Sequence, residues 1–413
     1  MSDRDAPKRP DKPIPVASFA EAMPSEATGD EVEVLKVAGQ SAQGAPAGKA
    51  KEEPAVDSKE KPAVASKEKA SAEAKEAAGE KASTLALGRG LDIGTCNLVS
   101  ASQQGDGNLT YRSLRNAFID VDINDFTKKM LTKLGVQYVM HNKRMYVLGG
   151  PAFELANIFN RETRRPMASG LISPHEADAL PIIRLLVSQV LGEPARENEP
   201  CFYSIPGEPI DSNMNVVYHR DIFDGLLRKL GFVPQPMAEG HALVFAELAD
   251  DDFTGIGISC GAGMFNICVA YKTVPAVVFS TSRGGDWVDN NAAMVLGMKA
   301  PRVTAIKEKG VDLMAPKNRE EEAIVIYYRN LINYTLVNIK SRFESAEGIP
   351  TFPDAVDIVC SGGTSLPQNF IDLFTEELTR IEFPLEIKNV RLAAEPLNAV
   401  AQGCLVAAMS GME

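Results

Sequence analysis

Apolar and polar positions divide the chain into two parts that meet near Leu85. After that point, short apolar runs typical of buried strands alternate with longer stretches whose apolar residues recur at helical spacing. The pattern predicts helices at residues 174–191, 221–230, 240–248, 320–343 and 398–410. It predicts strands at residues 91–93, 98–102, 110–115, 137–140, 145–148, 201–205, 256–259, 265–271 and 355–360. Strands that alternate with helices in two similar halves indicate the α/β class.

Residues 1–84 are predicted to form a disordered tail. From Gly44 onward the tail consists mainly of Ala, Lys, Glu, Pro and Ser, with very few large apolar side chains. Such a segment buries too little apolar surface to offset the entropy lost on ordering. Residues 31–37 (EVEVLKV) are a mildly apolar exception. They are either more of the same tail or a short docking motif for a partner protein.

Two glycine-containing turns join neighbouring strands, and each follows a short polar residue near the end of a strand. The first turn follows Asp92 and contains Gly94, Thr95, Cys96 and Asn97. The second turn follows Ser259 and contains Gly261, Ala262, Gly263 and Met264. Because glycine has no Cβ, successive backbone N–H groups in such turns approach an anion closely. A third glycine turn, at Gly362, Gly363 and Thr364, follows another strand, so the three turns predict one nucleotide site between two halves.

Composition and charge narrow the possible partners. The chain has 413 residues and a formal net charge of −12, and this acidic balance argues against nucleic acid as a partner. The apolar runs are much shorter than the roughly 20 residues that span a bilayer, and the polar tail does not favour direct membrane insertion. The six cysteines are scattered without a CxxC pair, as expected for reduced side chains in a cytoplasmic protein.

Residues 90–97 (GLDIGTCN) resemble the first phosphate motif of the actin, heat-shock chaperone and sugar kinase superfamily, and MreB-like bacterial actins most of all. Further resembling segments follow in the family's order at residues 146–152, 165–172, 235–238, 284–289, 305–309, 361–366 and 395–403. The resemblance implies a two-lobed actin-like ATPase fold built from duplicated ribonuclease-H-like domains. Lobe I would span residues 85–240, lobe II would span residues 241–396, and the C-terminal helix at 397–413 would return to lobe I.

The same resemblance implies ATP and Mg²⁺ as cofactors. Asp92 would hold Mg²⁺ through water, as suits an ion that keeps several of its waters. The implied nucleotide-binding residues are Gly94, Thr95, Cys96, Asn97, Ser259, Gly261, Ala262, Gly263, Met264, Gly285, Asp286, Lys307, Glu308, Gly362, Gly363 and Thr364. Taken alone, Lys307 and Glu308 would equally fit a solvated helix face. Asp211 and Asn213 are the nearest candidates for orienting the attacking water.

Three positions depart from the family pattern. Ser259 stands where the family has an aspartate, Met264 replaces a common threonine, and Gln235 stands where an acid precedes the proline of the first connecting motif. Phosphoryl transfer depends on positioning and on neutralising charge, so the loss of two carboxylates would weaken Mg²⁺ organisation. The sequence therefore favours nucleotide binding over efficient hydrolysis and predicts at most a slow ATPase.

Three functions fit this pattern. The first is a bacterial actin-like cytoskeletal protein that polymerises with ATP, with the tail as an arm for adaptor proteins. The second is a scaffold of the same fold that binds nucleotide but does not polymerise, which Ser259 and Gln235 favour. The third is a chaperone-like reactivation factor.

Overall fold

The computed structural model describes residues 88–411 except 106, 137, 142 and 347–348. The predicted tail at residues 1–84 and its 31–37 stretch lie outside these residues. The strands are β1 (Arg89–Ile93), β2 (Asn97–Gln103), β3 (Leu109–Arg115), β4 (Phe118–Asp122), β5 (Tyr138–His141), β6 (Arg144–Leu148), β7 (Met167–Ala168), β8 (Leu171–Ile172), β9 (Glu199–Ile205), β10 (Phe232–Ala238), β11 (Gly255–Cys260), β12 (Phe265–Tyr271), β13 (Val274–Thr281), β14 (Val356–Ser361) and β15 (Ile387–Leu392). The helices are α1 (Asp125–Lys133), α2 (Gly150–Ala156), α3 (Ala179–Leu191), α4 (Val216–Lys229), α5 (Glu239–Glu247), α6 (Gly285–Leu296), α7 (Ala300–Glu308), α8 (Arg319–Ser345), α9 (Phe370–Thr379) and α10 (Ala399–Met409).

Two five-stranded sheets with the same topology organise these elements. The first sheet has the order β10-β9-β1-β2-β3, and the second has the order β15-β14-β11-β12-β13. In each sheet three consecutive strands form an antiparallel meander, and two later strands add in parallel beside its first strand. The repeat confirms the two similar halves inferred from the sequence. A smaller sheet, β4-β6-β5, is inserted after the first meander.

Each large sheet is covered on one face by helices from its own half. Helices α3 and α4 bury apolar side chains such as Ile183 and Phe223 against the first sheet. Helices α6 to α9 bury side chains such as Tyr328 and Phe374 against the second sheet. The predicted α/β class follows directly, because each sheet buries an apolar face against its own helices.

The other face of each sheet is covered by a helix that the chain reaches from the opposite half. Helix α5 follows the first sheet but packs on the second, where a Cβ on Gly240 would lie 2.6 Å from the backbone nitrogen of Cys268. Helix α10 follows the second sheet but packs on the first, where a Cβ on Gly90 would lie 2.0 Å from the carbonyl oxygen of Ala401. The two helices touch at Gly403, whose Cβ would lie 1.7 Å from the carbonyl oxygen of Ala242. Glycine lets the backbones approach at these points.

Several element boundaries differ from the predictions for local reasons. The helix expected at 174–191 begins only at Ala179, because Pro181 is best tolerated in a first turn, where no N–H partner is required. The helix expected at 221–230 begins earlier, at Val216, because the Asn215 side chain caps it by accepting from the Tyr218 N–H at 3.0 Å. The elements β4, β7, β8, β10, β13, β15, α1, α2, α6 and α9 were not predicted. The lobe boundaries given above stay predictions.

Candidate functional site

The carboxyl ends of the parallel strands bring polar side chains to one edge of the first sheet. Asp92 is the last residue but one of β1, Ser204 holds the same place in β9, and Glu239 directly follows β10. In the second sheet, Ser259 is the last residue but one of β11. Ligands of open α/β sheets bind beyond the carboxyl ends of parallel strands, so these four residues mark the candidate site.

Asp92 is fixed by a serine on the neighbouring strand. The Ser204 hydroxyl donates to Oδ1 of Asp92 at 2.9 Å and accepts from the Ile93 N–H at 2.8 Å. Asp92 is partly buried, and desolvation raises the pKa of its carboxyl group above the usual range, while the Ser204 hydrogen bond opposes this rise.

Glu239 is a second carboxylate at the same place, and it was not predicted from the sequence. Its side chain is buried, and its Oε2 accepts from the Ser259 hydroxyl at 2.8 Å. Desolvation, followed by the charge of Asp92, raises the pKa of the Glu239 carboxyl group, while hydrogen bonds from Ser259 and Asn266 oppose the rise. The two acids therefore interact through their charges across the junction of the sheets.

Glu239 lies directly after the predicted first connecting motif. Residues 235–238 finish β10, and the connecting helix begins one residue later with Glu239. Gln235 thus lies within β10, and an acid, Glu239, stands four residues later at the first position of α5. A sequence signal was available, because an acid directly before a helical apolar pattern is typical of a helix N-terminus.

The pair of carboxylates fits Mg²⁺ held through water. Neither acid has a cationic side chain among the groups that shift its pKa; their side-chain partners are a hydroxyl or an amide. Within residues 88–411, gaps excepted, no group of three or more His, Cys, Asp or Glu side chains forms a direct metal cage. Mg²⁺ commonly uses one or two carboxylates together with waters and substrate phosphates, which matches this arrangement.

The two predicted glycine turns have the same backbone geometry, and their tips meet. In the first, the Gly94 N–H donates to the Asn97 carbonyl at 3.0 Å; in the second, the Gly261 N–H donates to the Met264 carbonyl at 2.9 Å. A Cβ on Gly263 would lie 2.5 Å from the Thr95 hydroxyl, so the tips are in close contact.

A loop between β7 and β8 completes this contact. The Gly170 N–H donates to the Thr95 hydroxyl at 3.0 Å, and a Cβ on Gly263 would lie 2.3 Å from the same nitrogen. The structure therefore brings the two predicted phosphate turns together with a third segment of the chain.

The second turn is also joined to the predicted adenosine turn. The N–H groups of Gly285 and Asp286, at the start of α6, donate to the carbonyls of Gly261 and Ala262 at 3.1 and 2.8 Å. The Thr364 hydroxyl donates to the same Gly261 carbonyl at 2.9 Å. The second phosphate turn, the start of α6 and the adenosine turn thus lie side by side.

Four predicted residues make contacts that the sequence did not suggest. The Lys307 ammonium lies 2.7 Å from an Asp289 carboxylate oxygen, and Glu308 pairs with Arg115 at 3.2 Å. Met264 buries its side chain in a cluster with Leu171 and Val216, so only its backbone contributes to the turn.

The fourth of these residues is Asp211. Its carboxylate accepts from the Ser282 N–H at 2.8 Å and from the Tyr334 hydroxyl at 3.0 Å. Among the contacts of the described residues, none joins Asp211 or Asn213 to Asp92. Asp211 therefore links the segment after β9 to the second half.

Comparison with known proteins gives the family of this chain. The model of the Volactin family matches residues 87–408. The chain belongs to the Volactin family. None of the curated proteins compared with it matches.

Solved structures extend the likeness of this Volactin-family chain to actin-like folds. A structure described as the MamK double helical filament is 19% identical, covering 77% of this chain and 97% of its own, with a TM-score of 0.60. MreB5 of Spiroplasma citri bound to AMPPNP is 13% identical, covering 78% of this chain and 95% of its own, with a TM-score of 0.55. The same protein bound to ADP is 14% identical, with the same coverage and a TM-score of 0.54. The predicted actin-like fold class is confirmed.

The described residues contain no helix long and apolar enough to cross a membrane.

Proposed function

We propose that this Volactin-family chain is an actin-like protein that binds ATP with Mg²⁺ between its two glycine turns, hydrolyses it slowly and assembles into filaments. The observation that carries the proposal is the pair of carboxylates, Asp92 and Glu239, at the strand ends next to the meeting turns. The solved structures of MreB5 with AMPPNP and ADP, and of MamK as a filament, support it as relatives in fold.

The backbone of the two turns would hold the phosphates. Short turns with glycine present their N–H groups to an anion without steric hindrance. Bound Mg²⁺ would supply positive charge and ordered waters beside the terminal phosphates. Asp92, held in place by Ser204, would accept hydrogen bonds from those waters. Thr364 and Gly285 would border the nucleoside, since they lie next to the second turn.

Glu239 would orient the attacking water. A general base is most effective when its pKa lies near the working pH, and burial moves the pKa of this carboxyl group upward in that direction. The Ser259 hydroxyl fixes the carboxylate in one orientation. Ser259 would then be a partner of the acid rather than a site from which an acid has been lost.

Nucleotide binding is tested first, by calorimetric titration with ATP, with and without Mg²⁺, and with adenosine. Asp92→Ala is expected to reduce about tenfold the gain in ATP affinity that Mg²⁺ gives, and to leave adenosine affinity unchanged. Asp221→Ala, at an exposed aspartate on α4 that pairs with its neighbour Arg220, is the matched control. Absence of ATP binding by the unaltered protein would refute the proposal.

Hydrolysis is tested separately by phosphate release. Glu239→Gln keeps the size of the side chain and removes its basicity, so the rate should fall about a hundredfold while ATP affinity changes little. An unchanged rate would remove Glu239 from the mechanism.

Filament assembly is tested by sedimentation and electron microscopy with ATP, with ADP and without nucleotide. Polymer that depends on ATP is the expected result. Micromolar ATP binding without polymer in any condition would favour the second candidate, a non-polymerising nucleotide-binding scaffold. A cytoplasmic location, and the tail as an arm for adaptor proteins, stay predictions.

A further inference from the structure

Arg165 lies between the two glycine turns and contacts both halves of the molecule. Its Nη1 donates to Sγ of Cys96, in the first turn, at 3.1 Å, and its Nη2 donates to Oδ2 of Asp286, at the start of α6, at 2.8 Å. The Asp286 backbone N–H donates to the Ala262 carbonyl, so the residue that carries this carboxylate is held directly beside the second turn. The guanidinium group therefore occupies the place where both turns would meet a nucleotide's phosphates.

The contact with Cys96 leaves the guanidinium poorly satisfied. Burial raises the pKa of the Cys96 thiol, so the sulfur stays neutral and is a weak hydrogen-bond acceptor. A guanidinium group has five N–H donors in a planar fork, and the contacts with Cys96 and Asp286 use two of them. About a third of the Arg165 side-chain surface is exposed, at 32%, so a ligand can reach it. Phosphate oxygens suit this fork better than a thiol does.

The neighbouring residue Arg164 shows what a purely structural arginine looks like here. It is equally exposed, at 32%, but it contacts the carboxylates of Asp120, Glu176 and Asp178. These partners all belong to the first half, and among the described residues no hydrogen bond or ion pair joins the Arg164 side chain to either glycine turn. The two consecutive arginines thus match in exposure and differ in what they face.

We propose that Arg165 binds the terminal phosphates of the nucleotide, and that Asp286 holds its guanidinium group until those phosphates displace the carboxylate. The inference rests on the nucleotide binding proposed above and adds a phosphate-binding residue and a competing acid to it. Displacement would break the ion pair that now joins the first half to the start of α6. Phosphate binding at Arg165 would therefore change the contacts between the two halves.

A purely structural ion pair makes a different prediction from an exchanging one. If Arg165 and Asp286 only hold the halves together, removal of either side chain has the same consequence for nucleotide binding. If Asp286 competes with phosphate, removal of its charge frees Arg165 and strengthens binding, whereas removal of Arg165 weakens it. The sign of the two effects therefore separates the alternatives.

The experiment is calorimetric titration of the full chain with ATP, ADP and adenosine. Arg165→Ala is expected to weaken ATP binding about tenfold or more and to leave adenosine binding unchanged, since only phosphates meet the guanidinium group. Arg165→Lys keeps the positive charge but lacks the planar fork, so its ATP affinity should lie between those of the unaltered protein and Arg165→Ala. Asp286→Asn should strengthen ATP binding severalfold. Arg164→Ala, the matched control, should leave the ratio of ATP to adenosine affinity unchanged.

Three results would overturn the inference. An unchanged ratio of ATP to adenosine affinity in Arg165→Ala would remove Arg165 from phosphate binding. Weaker ATP binding, or no change, in Asp286→Asn would exclude competition by the carboxylate. Failure of the unaltered protein to bind any of the three ligands would refute the proposed function and this inference with it, whereas the first two results would leave nucleotide binding intact.

Discussion

The two glycine turns are built alike but carry different chemistry. Each follows the first strand of a meander, closes with the same hydrogen bond between Gly N–H and a carbonyl three residues later, and lies beside a parallel strand from its own half. At the equivalent position near the strand end, the first half has Asp92 and the second has Ser259. The fold is therefore repeated in both halves, whereas the acid at this strand position is present only in the first half.

The difference shows that the carboxylates of the site come from one half. Glu239 follows β10 of the first sheet, and the crossing of α5 brings it to Ser259 on the second sheet. The first half supplies both acids, and the second supplies hydroxyl and amide donors. A charge that is missing from one strand is thus replaced by a side chain from a helix that crosses between the halves.

The largest expected effect comes from breaking the helix crossing that joins the halves. In Gly403→Ala the new Cβ would lie 1.7 Å from the Ala242 carbonyl oxygen, a backbone atom that moves only if α5 and α10 separate. We expect the free energy of unfolding to fall by about 4 kcal/mol or more. The measurement is urea denaturation followed by circular dichroism.

Gly225→Ala is the control for that substitution. Gly225 also lies within a helix, α4, but a Cβ there would have no heavy atom within 4 Å. Alanine is the better helix former, so this variant should be stabilised by about 0.5–1 kcal/mol. Equal losses in both variants would mean that the crossing is not tightly packed.

The next effect concerns Glu239, an acid of the first half that contacts Ser259 of the second half. Burial, followed by the charge of Asp92, raises the pKa of Glu239 from 4.5 to about 8 in the folded protein. The folded state then holds a proton that the unfolded chain releases, so the free energy of unfolding falls as pH rises from about 4.5 to about 8. Glu239→Gln should remove most of this decline, measured by urea denaturation across that pH range without nucleotide. An identical slope in the variant would show that Glu239 is ionised normally.

The next prediction places an acid at the equivalent position of the second half. Ser259→Asp would place a buried carboxylate against Glu239, where the serine hydroxyl now donates at 2.8 Å. We expect a loss of about 2 kcal/mol at pH 8, recovered at pH 5 as the acids take up protons, and no gain in ATP hydrolysis. Ser259→Ala, which removes the donor without adding charge, should cost about 1 kcal/mol at both pH values. Faster hydrolysis in Ser259→Asp would instead mean that the site lacks a carboxylate.

The fold was largely predictable from the sequence because both turns leave a local signal. A glycine between two short apolar runs, as at Gly94 and Gly261, defines a strand, a turn and a second strand from neighbours in sequence. The acid at Glu239 was missed because its role depends on contacts 20 residues away with Ser259 and on the end of β10. Asp211 was chosen by proximity in sequence to the turn after β9, but its side chain is directed to Ser282 and Tyr334 by tertiary packing.

The smallest expected effect is at a second ion pair between the halves. Arg115, at the end of β3, pairs with Glu308, at the end of α7, at 3.2 Å, and the two side chains are 39% and 55% exposed. Water and salt screen such a pair, so Arg115→Gln should change the free energy of unfolding by about 0.5 kcal/mol or less, and by nothing measurable at 1 M salt. The measurement is urea denaturation at low and high salt. A larger loss that persists at 1 M salt would mean that a contact other than Glu308 holds Arg115, and the Phe153 ring, whose centroid lies 5.7 Å from the Arg115 guanidinium carbon, is such a contact.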